Sequence, residues 1–152
     1  MMRFVLLAAA IACMALPASG AAPDDGKKVT ACMDAADNAG KFAGNCIGMI
    51  YADCNKQPNA DDAACAAKEL AFWQGQLDMT YKRALKDSVY PGMAKDQSDA
   101  QKAWLTFRDR ACVLADKVDP GTMPGGSAYC RAEVTAERVF MLRRVTFSLE
   151  EH

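Results

Sequence analysis

Cys65, Glu69, Trp73, Leu77, Tyr81 and Leu85 recur every fourth residue, with Leu70 and Ala84 beside them and Asp62, Lys68, Gln76, Lys82 and Arg83 on the other side. That period predicts one long helix from about Asp61 to Asp87, with Asn59 or Asp61 as its cap. Pro91 and Gly92 stop the following connection. Asp96 or Ser98 then opens a helix to about Val118, whose expected core face is Ala100, Trp104, Phe107, Ala111 and Leu114. Asp119 to Gly121 ends it, and a loop over Met123–Gly126 leads to a last helix with Ser127 as cap. Cys130, Val134, Met141, Leu142, Val145 and Leu149 are its expected apolar row.

Upstream the pattern is weaker. Val29 to Asp37 reads as a short helix holding Cys32, after a lead-in over Ala21–Lys28 that should fray. Asn38 to Gly40 breaks it. Phe42, Cys46, Ile50 and Cys54 are again spaced by four and predict a second short helix, although Gly44 and Gly48 interrupt it. No segment alternates like a strand. The expectation is an all-α, disulfide-stapled bundle of three main antiparallel helices plus two short N-terminal helices, a domain over 29–150.

The first residues follow a different logic. Met1 to Arg3 is a short positive region, Phe4 to Leu16 an apolar run, and Leu16 to Gly20 supplies small residues for cleavage after Gly20. Residues 1–20 thus read as a secretory signal peptide. The run is short for a membrane span. Ala10 to Cys13 loosely resembles a lipidation site, but the leader would be very short and Leu is missing three residues before Cys13, so a lipid anchor there is disfavoured.

Composition sharpens this reading. The chain has 152 residues and seven cysteines, of which Cys13 leaves with the leader. Six remain: Cys32, Cys46, Cys54, Cys65, Cys112 and Cys130. An even count behind a leader implies three disulfides in a periplasmic or secreted protein. Fifteen pairings are possible; the sequential set Cys32–Cys46, Cys54–Cys65 and Cys112–Cys130 is expected, because antiparallel helices bring Cys112 and Cys130 together. Zinc is a weak rival, since there is no Cys-x-x-Cys pair and the only histidine is His152. No cofactor is expected. Charge is nearly balanced, 18 basic against 19 acidic residues, and no basic block suggests nucleic acid.

Ionisable residues stand where packing is expected: Glu69 between Cys65 and Trp73, Arg108 between Trp104 and Cys112, Arg138 between Val134 and Leu142. Buried charges need partners. The expectation is an ionic network in which Glu69 pairs with Arg108 or Arg138 and Asp109 closes it. Trp73, Tyr81, Trp104 and Phe107 are expected as core aromatics. Met123, Gly125, Gly126, Ser127 and Tyr129 form the candidate partner-binding loop. Catalysis has little support: no base histidine, no free thiol if all six pair, no nucleophile elbow. A non-enzyme is expected.

Cys54, Cys65, Glu69, Leu77, Tyr81 and Lys82, followed by Gln101, Trp104, Phe107, Arg108, Asp109, Cys112, Gly125, Gly126, Ser127, Cys130, Thr135, Arg138 and Leu142, resemble the LprI lysozyme-inhibitor family. The match spans about Cys46 to Leu142, and its second half is the more specific. Gln74 stands where the family usually has Asp, and Asp78 where it usually has Asn. The resemblance implies a secreted or lipid-anchored helical protein that binds and inhibits lysozyme. The alternative is a structural or accessory envelope protein on the same scaffold without that activity.

Overall fold

The computed structural model describes residues 23–118 and 125–150. The expected leader over 1–20, with Cys13, and Met123 of the candidate loop lie outside the described residues. Among those described there is no strand, and the elements are α1 (Pro23–Asn38), a 3-10 turn (Ala43–Cys46), α2 (Met49–Asn55), α3 (Asp62–Lys86), α4 (Met93–Val118) and α5 (Gly126–Glu150). No helix among them is long and apolar enough to cross a membrane.

The long helix α3 follows its period. Cys65, Glu69, Trp73, Leu77 and Ala84 are buried on one face, and the Asp61 side chain caps the helix by accepting the Ala64 N–H at 2.8 Å. Several boundaries differ from expectation. The lead-in does not fray: α1 takes it in from Pro23, with Asp24 and Asp25 in its first turn, where carboxylates favour the helix dipole. The Phe42–Cys54 helix is two pieces, because Gly48 adopts φ 84° and turns the chain between them. Helix α4 starts at Met93, after Gly92 at φ 88°. Ser127 lies inside the first turn of α5 rather than capping it.

Helices α3 and α5 make the most extensive contact. They run parallel, since Gly125 meets Asp62 and Ala66 at one end while Phe140 packs on Trp73 further along. Helix α4 runs antiparallel to α5, as Cys112–Cys130, Arg108–Thr135 and Arg138–Gln101 show in turn. Up-down-up order requires this arrangement. Helix α5 is therefore packed on several sides. It buries Ala132, Thr135, Ala136, Arg138, Val139, Phe140, Leu142 and Thr146, too many directions for a single apolar stripe. Met141 and Val145 are exposed, although their spacing placed them in the core row.

Three disulfides close the structure: Cys32–Cys46, Cys54–Cys65 and Cys112–Cys130. Each spans a loop of 11 to 18 residues, which constrains the unfolded chain by about 3 kcal/mol per bridge. The core they enclose is modest, centred on Trp73, Met33, Ile50, Leu77 and Val139.

Helix α4 departs most from expectation. Its inward face is Gln101, Arg108 and Cys112, with Trp104 half-buried. Phe107, expected as a core aromatic, is 61% exposed, and Leu114 is 60% exposed. Ala100 is exposed as well. The disulfide decides this. Cys112 must face Cys130, and one and three helical turns before Cys112 on that side stand Arg108 and Gln101. Apolar spacing alone points to the other face.

Candidate functional site

Three polar assemblies hold the helices in place, and the first two are centred on ionisable residues singled out by their spacing. The first is centred on Glu69, whose side chain is wholly buried in the middle of α3. Its carboxylate accepts the Gly48 N–H and the Tyr51 N–H, each at 2.9 Å, and the Trp73 indole N–H at 2.5 Å. Gly48 has no side chain with which to cap α2, so Glu69 supplies the cap from another helix. Its negative charge also sits at the positive end of α2.

This corrects the expected ionic network. No ion pair joins Glu69 to Arg108 or Arg138 among the described residues, because two backbone N–H groups and the Trp73 indole already satisfy the carboxylate. Arg108 instead belongs to a second assembly at the seam of α3, α4 and α5. Its guanidinium donates to Gln74 Oε1 at 3.0 Å, Thr135 Oγ1 at 3.2 Å and Asp109 Oδ1 at 2.9 Å. Arg131 approaches the same Asp109 oxygen at 3.5 Å. Arg138 donates to Gln101 Oε1 at 3.1 Å, and burial pushes its pKa below the ordinary value. The two guanidinium carbons lie 5.3 and 5.8 Å from the Trp104 ring centroid, within cation–π range. Trp104 thus serves as a shared platform for two arginines, only one of which has a carboxylate partner among the described residues. Of the other two expected core aromatics, Trp73 is fully buried and Tyr81 half-buried.

The third assembly sits where the 119–124 segment rejoins the described chain. Asp62, in the first turn of α3, accepts the Tyr51 hydroxyl, the Asn55 side-chain N–H at 3.1 Å and the Gly125 N–H. The Tyr51 hydrogen bond and then that of Gly125 hold the Asp62 carboxyl below the usual range. Burial, followed by this hydrogen bond, pushes Tyr51 up to about 12. The Tyr51 and Tyr129 rings pack with centroids 4.5 Å apart and planes tilted by 44°. Gly125, at φ 68°, lies so close to Ala66 that an added Cβ would stand 2.6 Å from its methyl carbon. Gly125, Gly126, Ser127 and Tyr129 are all half-buried in the anchored start of α5.

Elsewhere, a charged cleft of about 410 Å³ lies beside Asp25, Lys28, Asp53, Lys56 and Lys68. Lys28 and Lys56 each reach Asp53 at 2.8 Å and lower its pKa to about 2. No group of three or more His, Cys, Asp or Glu side chains is placed to hold a metal among the described residues.

The outer surface of α4 has a different character. Phe107, Val113, Leu114 and Val118 are four of the ten exposed large apolar side chains among the described residues, and all fall within its last twelve residues. The exposed Arg110 and Lys117 run beside them.

A protein of Rhizobium meliloti (strain 1021), described as uncharacterized, is 28% identical over 64% of this chain and 81% of its own length. No solved structure matches. The family described as Lysozyme inhibitor LprI matches residues 53–142, which run from the end of α2 to Leu142 in α5 and so take in all three assemblies in whole or part. The chain belongs to the LprI lysozyme-inhibitor family.

Proposed function

We propose that this protein is a periplasmic or secreted lysozyme-inhibitor-like protein that binds lysozyme non-covalently. The family match over residues 53–142 carries the reading. Three disulfides fit an oxidising compartment outside the cytoplasm, as the leader over 1–20 implies. They also suit the role, since a binder that is rigid before it meets its target loses less entropy on binding. The family is one of inhibitors, and the protein acts by occupying a surface rather than by turning over a substrate.

A second reading rests on where the shared residues lie. Glu69, Arg108, Cys112, Cys130, Thr135 and Arg138 are all buried. They specify a scaffold, and a scaffold can serve an accessory role in the envelope without inhibition. Titrating the purified mature protein against c-type, g-type and i-type lysozymes in a cell-wall lysis assay separates the two. Inhibition of one class is expected. Absence of inhibition of every class at micromolar concentration leaves the accessory role.

A further inference from the structure

Helix α4 is turned inside out relative to its own composition. It buries Gln101 and Arg108 and leaves Phe107 and Leu114 in water. Burying a Phe or Leu side chain stabilises a fold, so this orientation forfeits stabilisation that a monomer could have used. The exposed side chains are also ordered. Phe107, Arg110, Leu114 and Lys117 follow one another at alternating steps of three and four, which places them along one face, with Val118 at its end. Neither Arg110 nor Lys117 forms an ion pair with a described residue. The acidic neighbours are engaged or turned aside: Asp109 with Arg108 and Arg131, Asp116 toward Gly126. The face is therefore apolar and cationic, with Phe107 at one end and Arg110 next along it, residue types enriched at protein interfaces.

A lysozyme is a glycosidase, and most glycosidases hold two carboxyl groups on either side of the bond they cut, within a cleft. A convex helix with a guanidinium that pairs with no carboxylate among the described residues, set between two apolar side chains, complements such a cleft in shape and in charge. We propose that the outer face of α4, from Phe107 to Val118, is the surface that enters the lysozyme cleft. This rests on the lysozyme reading above. Arg110 meets the catalytic carboxylates with its planar fork of donors, Phe107 and Leu114 cover the apolar walls beside them, and Lys117 adds attraction at longer range. The inward Arg108 cannot do this, since Gln74, Thr135 and Asp109 occupy it.

The test compares wild type, Arg110→Glu and the double variant Phe107→Ala/Leu114→Ala against whichever lysozyme class the wild type inhibits. All three positions face solvent, so thermal melts should agree and confirm that each variant folds. Arg110→Glu should weaken inhibition at least 100-fold, and the double variant at least 10-fold. Wild-type inhibition should also fall as salt is raised, since charges contribute to association. Undiminished inhibition by both variants overturns the α4 assignment while leaving the lysozyme reading intact. A wild type that inhibits no class overturns the lysozyme reading and the assignment with it. If size-exclusion chromatography shows a wild-type dimer that the double variant abolishes, the face belongs to a second copy, and the assignment is again overturned.

Discussion

The Glu69 carboxylate on α3 accepts the Tyr51 N–H at the start of α2, 2.9 Å away, and so joins two helices whose residues are 18 apart in sequence. A buried carboxylate without a cation is stable here because three N–H donors surround it. Replacing it with Gln keeps the shape but turns one acceptor into a donor that faces other donors. Glu69→Gln should therefore cost about 1–3 kcal/mol, the range for leaving buried polar groups unmatched. Urea denaturation measures it. An unchanged midpoint would mean that the cap is dispensable.

Gly125→Ala tests the junction at the start of α5. The substitution combines a left-handed backbone with a Cβ that would sit 2.6 Å from the Ala66 Cβ and 3.0 Å from the Tyr129 Cβ. Both neighbours are fixed close to their own backbones, so neither can swing aside. Strain of about 1–2 kcal/mol adds to an overpacking cost of about 1–3 kcal/mol. Gly40→Ala is a useful control, because φ is also positive there, at 62°, but nothing lies within 4 Å. The difference between the two losses isolates the steric part.

Glu69 and Arg108 show what the sequence could and could not reveal. The period of α3 marked Glu69 as buried, and it is. The Trp73 indole stands four residues on in the same stripe, but the other two donors to Glu69 were not readable, because they are backbone N–H groups exposed by a glycine turn at Gly48 and no side-chain pattern announces them. In α4 the apolar spacing pointed to Phe107 and Leu114, while Cys112 pointed to Arg108 and Gln101. The two signals conflict, and a covalent bond outweighs a few exposed apolar side chains. Reading α4 from Cys112 outward would have oriented it correctly, and the apolar row would then have stood out as surface. The candidate loop fared differently: Tyr129 packs on Tyr51, a contact between residues 78 positions apart that local composition does not signal.

Tyr51 gives the fold a dependence on alkaline pH. Its pKa rises to about 12 in the folded protein, against an ordinary value near 10. The folded state thus favours the neutral phenol. The associated stabilisation is fully present below about pH 10 and is lost as pH rises through about 12. Tyr51→Phe removes the titrating group and should abolish that part of the alkaline decline, as measured by stability against pH for both proteins. Tyrosinate absorbance gives a second check, with Tyr51 and Tyr129 ionising later than the unfolded chain, since burial raises Tyr129 as well. Parallel stability curves for the two proteins above pH 10 would dismiss Tyr51 as the cause.

The Cys112–Cys130 bridge should matter more to α4 than to the rest of the fold. Helix α3 holds α5 through broad apolar contact, including Trp73 against Phe140 at 5.5 Å. Helix α4 has a smaller interface, built on this bridge, two arginines and their polar partners. Polar contacts contribute only about 1 kcal/mol each, and somewhat more where a charge is involved. Removing the bridge as Cys112→Ala/Cys130→Ala should lower global stability by about 3 kcal/mol. It should also free α4 first. Hydrogen exchange would then show amides of α4 opening at lower free energy than those of α3 and α5, whereas in the wild type the three are closer together. The Cys54–Cys65 double alanine variant is the contrasting case, because that bridge lies at the α2–α3 junction, away from α4. If both variants loosen all helices equally, α4 is not a separately held element, and its outward apolar face depends on the whole bundle rather than on the bridge.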